Sequence, residues 1–125
     1  MSKTVLVADD EVKVVSLLLA TLGGDERYRV VVAKDGEEAV SVAKQEKPDL
    51  ILLDILMPKL DGFQVCRLLR GDPATSRAMI VMLTALAQES DWHEAIQAGA
   101  DDYLTKPFSP TEILEKIEDV CGEVA

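Results

Sequence analysis

The feature that most constrains this chain is the regular alternation of short apolar runs with segments of helical spacing. The apolar runs occupy residues 4–8, 28–33, 49–53, 79–83 and 101–105. Short runs of this kind are typical of strands buried on both faces of a sheet. A strand–helix unit repeated five times predicts a parallel sheet with helices on both faces. Such a sheet reverses its winding once, and ligands gather beyond the carboxyl ends of the strands at that reversal.

Helix boundaries support this order. Acidic or hydroxyl residues followed three positions later by Glu or Gln predict three helix starts, at 35–38, 61–64 and 109–112. Gly23 and Gly99 are expected to end the first and fourth helices. The fourth helix, predicted over 88–98, has the weakest apolar pattern. The second helix is expected to end at Pro48.

Composition limits the classes of function. The 125 residues predict one domain, over residues 1–125, and a hydrophobic fraction of 48% is sufficient for a core. The net charge of −10 disfavours direct binding to nucleic acid or to an anionic membrane. Cys66 and Cys121 lie in apolar helical patterns and are interpreted as core residues. Since no signal peptide or membrane-spanning run is recognisable, we expect a cytoplasmic protein.

Five polar residues fall at one rim of the predicted sheet, because each follows a strand: Asp9, Asp10, Asp54, Thr84 and Lys106. Taken singly, each has an ordinary explanation, such as a helix cap for Asp9 or Asp10. Together they crowd three carboxylates, and two like charges about 4 Å apart repel by roughly 4 kcal/mol at an effective dielectric of 20. Mg²⁺ would relieve this repulsion, since it binds a few carboxylates together with phosphate oxygens. The group therefore indicates phosphoryl transfer to a carboxylate nucleophile.

The chain resembles a response-regulator receiver domain of the chemotaxis-regulator kind over essentially its whole length. The matching stretches are VLVADDE at 5–11, DLILLDILMPKLDGF at 49–63, MLTA at 82–85 and AGADDYLTKPF at 98–108. The resemblance implies a flavodoxin-like (βα)5 fold, with five parallel strands in the order 2-1-3-4-5 and helices on both faces. It also implies a cis bond between Lys106 and Pro107.

By the same resemblance, Asp54 accepts a phosphoryl group from the phosphohistidine of a histidine kinase or phosphotransfer protein. Asp9, Asp10, Asp54 and the backbone carbonyl of Leu56 would hold Mg²⁺. Lys106 would pair with the phosphoryl group, and Thr84 and Tyr103 would respond to it. These last two would switch the face built by the fourth helix, the fifth strand and the fifth helix. The expected activity is limited to autophosphorylation and autodephosphorylation, so the chain is not predicted to be an enzyme.

Residues next to the acceptor refine this expectation. Ala85 is small enough to leave access to a phosphoryl group. Leu56 and Leu86 stand two residues after Asp54 and Thr84, where the family often has polar residues. We hypothesise that they restrict attack by water and slow autodephosphorylation; the alternative is that they only adjust contacts with the kinase or phosphatase. His93 is interpreted as solvated surface, and Trp92 as either partner surface or packing.

Two other functions share parts of this pattern. An aspartyl-nucleophile phosphohydrolase often carries a second acid two residues after the nucleophile, where this chain has Leu56. A flavin-binding electron carrier needs phosphate donors in its first loop, whereas the run from Ala8 to Glu11 is acidic. The signal is expected to pass to a downstream protein or to an output domain. The sequence fits a stand-alone receiver and a piece of a longer regulator equally well.

Overall fold

The computed structural model describes residues 3–85 and 89–121 and contains five strands and five helices in strict alternation. The strands are β1 (Lys3–Ala8), β2 (Tyr28–Ala33), β3 (Leu50–Asp54), β4 (Met79–Thr84) and β5 (Asp102–Thr105). The helices are α1 (Val12–Leu22), α2 (Gly36–Glu46), α3 (Gly62–Arg70), α4 (Glu89–Ala98) and α5 (Pro110–Cys121). All strand pairs are parallel, and the order is β2-β1-β3-β4-β5, so the predicted order and fold class are confirmed.

Alternate residues of each central strand enter two separate cores. Along β3, Leu50 and Leu52 pack with α1 and α5, whereas Ile51 and Leu53 pack with α2, α3 and α4. This division requires strands that are apolar at every position, and all five residues of β3 are buried. Helices therefore cover both faces of the sheet, as the sequence predicts.

The predicted helix starts are confirmed in their hydrogen bonds. The Asp35 side chain accepts from Glu38 N. At α3, Asp61 and Gln64 form a reciprocal capping box, and Ser109 and Glu112 do so before α5. These caps fix where α3 and α5 begin.

Some boundaries differ from the sequence prediction by one residue. Both β3 and β4 extend one residue further, so Asp54 and Thr84 are the last residues of their strands and do not follow them. The reason is that Asp54 pairs with Leu83 and Thr84 pairs with Thr105 in the ladder. Strand β5 begins one residue later than predicted, because the carboxylate of Asp101 accepts the N–H of Ile80 and binds Arg70.

The cysteines lie where the sequence places them: Cys66 is buried, Cys121 is half-buried, and both are free thiols. Burial raises the pKa of the Cys66 thiol to about 11, as suits an unreactive core residue. His93 is exposed, and Trp92 is half-buried against the core on the α3–α4 side. Within the part of the chain that the structure describes, no helix is long and apolar enough to span a membrane.

Candidate functional site

The candidate site lies at the carboxyl edge of the sheet, where β1 and β3 are neighbours and the winding reverses. Backbone hydrogen bonds that continue the ladders past the strand ends hold it in place. Asp9 N donates to Ala33 O, Ile55 N donates to Leu83 O, and Lys106 N donates to Thr84 O. The loops that carry the polar side chains are thus tied to the sheet, which limits how far those side chains can move apart.

One ammonium group lies among three carboxylates at this edge. Lys106 Nζ is 2.7 Å from Glu11 Oε1, 2.9 Å from Asp9 Oδ2 and 3.5 Å from Asp54 Oδ1. The Lys106 side chain is only 10% exposed, and that of Asp9 is fully buried. Burial by itself would lower the pKa of Lys106, but the contacts with Glu11 and Asp9 and the charge of Asp54 raise it overall. Lys106 is therefore held as a cation.

Asp54 is the second buried acid of the group. Its Oδ1 accepts a long hydrogen bond, 3.3 Å, from Leu56 N. Burial, followed by the nearby Asp9 carboxylate, raises the pKa of Asp54 to about 7, and Lys106 opposes this rise only in part. A carboxylate that is this poorly compensated is favourably placed to gain a cation.

The residues present fit a magnesium ion. One oxygen each from Asp9, Glu11 and Asp54, which we call the acidic cluster, lie within 4.8 Å of one another. Among the described residues, no hydrogen bond reaches the buried Oδ2 of Asp9, and its 2.9 Å contact with Lys106 is an ion pair without hydrogen-bond alignment. A hard cation that binds carboxylate oxygens would satisfy this atom.

The start of α3 packs against the end of β3. Gly62 N donates to Ile55 O, at 2.8 Å. A Cβ at Gly62 would lie 2.6 Å from Asp54 O, so only glycine permits this close approach. The glycine of the Asp61–Gly62 turn that follows β3 is thus required by packing against the backbone of Asp54.

Thr84 and Tyr103 lie at different depths. Thr84 is buried at the end of β4, next to the exposed Ala85. Tyr103 is 37% exposed on β5, and its ring packs against Trp92 of α4 with 4.7 Å between the ring centroids. The Lys106–Pro107 peptide bond is cis, which confirms that expectation.

Comparison with known proteins identifies this arrangement. The family described as "Response regulator receiver domain" matches residues 5–118. The chain belongs to that family. Its acidic edge therefore corresponds to the region at which receiver domains are phosphorylated and coordinate magnesium.

Relatives and solved structures agree with this assignment. The alkaline phosphatase synthesis transcriptional regulatory protein PhoP of Bacillus subtilis is 48% identical over 96% of this chain, which covers 49% of PhoP. The receiver chain thus spans about half the length of that relative. The chemotaxis protein CheY4 of Vibrio cholerae has a TM-score of 0.91 at 30% identity, with 96% of this chain and 99% of that chain covered.

A receiver domain of a sensor histidine kinase from Pseudomonas aeruginosa was solved with a magnesium ion coordinated in its active site cleft. It has a TM-score of 0.84 at 33% identity, with 98% of this chain and all of that chain (100%) covered. Magnesium in that cleft, together with the oxygen-rich cluster of the present receiver domain, supports the predicted cofactor.

The structure brings Asp9, Asp54 and Lys106 together, as the sequence predicts. Asp10 is exposed and lies outside the acidic cluster, where Glu11 is the third member. Metal binding by Asp9, Asp10, Asp54 and the Leu56 carbonyl stays a prediction. Leu86 lies outside the described residues. Glu11 was missed, although one signal pointed to it: Glu is a poor helix cap, yet it directly precedes α1.

Proposed function

We propose that this receiver domain accepts a phosphoryl group on Asp54 from the phosphohistidine of a histidine kinase or phosphotransfer protein. The observation that carries the proposal is the environment of Asp54: a buried carboxylate at a strand end, 3.5 Å from the Lys106 ammonium and adjacent to Asp9. An Asp54 oxygen would form a bond to phosphorus as the P–N bond of the phosphohistidine breaks. The electron pair of that bond stays with the imidazole, which takes up a proton.

The surrounding residues supply binding and charge compensation. Bound Mg²⁺, held by Asp9, Asp54 and either Asp10 or Glu11, with the Leu56 carbonyl, would offset the charge of the phosphoryl oxygens. Lys106 would bind one phosphoryl oxygen, and the small Ala85 would leave the approach open. Any intrinsic autophosphorylation or autodephosphorylation would use the same groups.

The output is proposed to pass through the face formed by α4, β5 and α5. Thr84 would bind the phosphoryl group from the end of β4, and Tyr103, now half-exposed beside Trp92, would turn inward. The partner would be a downstream protein or an output domain. Direct binding of this domain to nucleic acid is disfavoured by its net charge of −10.

Mass spectrometry and amide spectra test the acceptor. With Mg²⁺ and a small phosphodonor, the parent should gain one phosphoryl group, and Asp54→Asn should gain none. With Mg²⁺ and beryllofluoride, a phosphoryl mimic, amide signals of the parent should shift in the region 84–108. Asp119→Asn removes an exposed acid of α5 as a matched control and should behave as the parent. Equal phosphorylation of Asp54→Asn would refute the assignment.

A further inference from the structure

The contacts of Lys106 are unequal, and the shortest is with Glu11. Lys106 Nζ donates a 2.7 Å hydrogen bond to Glu11 Oε1. The contact with Asp9 lacks hydrogen-bond alignment, and the 3.5 Å separation from Asp54 exceeds the 2.7–2.9 Å typical of charge-assisted bonds. The ammonium therefore lies closer to Glu11 and Asp9 than to the proposed acceptor Asp54, and Glu11 provides its aligned hydrogen bond.

Local structure explains why the Glu11 side chain is available for this contact. Glu11 is the N-cap residue of α1, with extended backbone angles (φ −83°, ψ 114°), but its side chain makes no capping hydrogen bond. The turn before the helix is held by the Asp9 side chain instead, because Glu11 N donates to Asp9 Oδ1 at 2.9 Å. Shorter Asp, Asn or Ser side chains usually cap a helix at this position. The longer Glu reaches across the sheet edge to Lys106.

The position of Lys106 has a consequence for phosphoryl binding. A phosphoryl group on Asp54 would place new anionic oxygens beside this ammonium, which lies 3.5 Å from Asp54 Oδ1 and already donates to Glu11. The Glu11 carboxylate is 57% exposed at the outer side of the ammonium, whereas Asp54 is buried at its inner side. The Glu11 carboxylate and a phosphoryl oxygen on Asp54 would therefore be two anionic acceptors of the same ammonium, on opposite sides of it.

We infer that Glu11 is a positioning residue for Lys106, and that its carboxylate competes with the phosphoryl group for the Lys106 ammonium. The inference rests on the proposed phosphorylation of Asp54. It predicts that loss of the Glu11 contact favours the phosphorylated state. An alternative is that Glu11 acts only through its negative charge, which would repel the incoming anion without any contact to Lys106.

Two substitutions separate these explanations. Glu11→Gln removes the charge and weakens the contact with Lys106. Glu11→Asp keeps the charge, but its carboxylate is one methylene shorter and is better suited to capping α1 than to reaching Lys106. Glu26→Gln is the matched control, because it removes one exposed acid at the opposite edge of the sheet. All variants are compared at saturating Mg²⁺, so that differences in metal affinity do not enter the comparison.

The first measurement is the affinity for beryllofluoride, followed by Trp92 fluorescence. Both Glu11→Gln and Glu11→Asp should bind about twofold to fivefold more tightly than the parent, the range expected for loss of one partly exposed ion pair. Glu26→Gln should match the parent. Tighter binding by Glu11→Gln alone would mean that charge repulsion is sufficient and would overturn the inference. Unchanged binding by both variants would also overturn it.

The second measurement does not depend on phosphorylation. In protein labelled with ¹³C at the lysine ε carbons, without Mg²⁺ or beryllofluoride, the Lys106 signal should shift in both Glu11 variants and stay in place in Glu26→Gln. An unshifted signal would refute the contact itself. Failure of the parent to bind beryllofluoride would refute the proposed function instead, and the lysine signal would still show whether Glu11 holds Lys106.

Discussion

Two polar groups at opposite edges of the sheet differ in how fully their charged and polar atoms are compensated. At the amino edge, Arg70 donates to the carbonyls of Gly99, Ser76 and Ala78 and forms an ion pair with Asp101 at 2.7 Å; we call this group the Arg70 clip. At the carboxyl edge, the acidic cluster shares one ammonium among three carboxylates, and the buried Asp9 Oδ2 lacks a hydrogen bond from the described residues.

The difference shows which edge is built for stability and which for binding. In the Arg70 clip, one planar guanidinium satisfies acceptors in the loop between α3 and β4 and in the α4–β5 turn, so each of these acceptors already has a charged donor. In the acidic cluster, the carboxylates are short of positive charge, and folding leaves this unfavourable energy in place. A bound cation can release it, so the carboxyl edge can change state while the amino edge stays fixed.

The largest expected effect is on the Arg70 clip. Arg70→Met should lower the free energy of unfolding by about 2–4 kcal/mol, because three backbone carbonyls and Asp101 lose a charged partner. Urea denaturation measures this change. Beryllofluoride binding by the folded variant should match that of the parent, since the clip lies at the opposite edge from Asp54.

The control for the clip is Arg67→Met, on the same helix. Arg67 is 52% exposed and pairs with Glu94 only at 3.9 Å, so the loss should be under about 0.5 kcal/mol. Similar losses for the two variants would contradict the contrast between the edges. A folded Arg70→Met protein that no longer binds beryllofluoride would show that the two edges are coupled.

The second prediction is a gain in stability, whereas the loss of Arg70 lowers it. Without Mg²⁺, Asp54→Asn should raise the free energy of unfolding at pH 8 by about 1–3 kcal/mol, because it removes a buried carboxylate whose pKa is raised to about 7. The folded parent binds more protons than the unfolded chain between the ordinary aspartate pKa and 7. Its stability should therefore fall as the pH rises through this range. Part of the gain is offset because Lys106 loses one nearby charge.

Thermal or urea unfolding in EDTA between pH 4 and 8 measures this effect. The stabilisation by Asp54→Asn should be small at pH 4 and grow toward pH 8. Saturating Mg²⁺ should stabilise the parent more than the variant, since the variant lacks one proposed metal ligand. A stabilisation that is independent of pH would show that ionisation of Asp54 carries no cost to folding.

The fold and the outline of the site could both be predicted from the sequence, because both follow from the pattern of apolar strands that end in polar residues. Strands such as β3, apolar at every position, demand helices on two faces, and the polar residue that ends each strand must then lie at one edge. The contacts of long side chains could not be predicted in this way. Glu11 could be recognised only once the path of the chain placed it beside Lys106, 95 residues away. The Arg70 clip was missed for the same reason: its partners are mostly backbone carbonyls, which no residue type marks.

The smallest expected effect concerns water at the carboxyl edge. Leu56 is 62% exposed and lies two residues after Asp54, just past the end of β3. If it restricts attack by water, Leu56→Asn should shorten the phosphoryl half-life by about threefold to tenfold, equivalent to about 0.7–1.4 kcal/mol in the barrier. Leu68→Asn, at an α3 position that is 50% exposed, is the matched control and should leave the half-life unchanged. Decay of the phosphorylated parent and variants, followed by mass spectrometry after removal of the phosphodonor, measures the half-life. An unchanged half-life in Leu56→Asn would favour the alternative that Leu56 only adjusts contacts with a kinase or phosphatase. The lifetime of the phosphoryl group would then depend on the acidic cluster and Lys106 and not on Leu56.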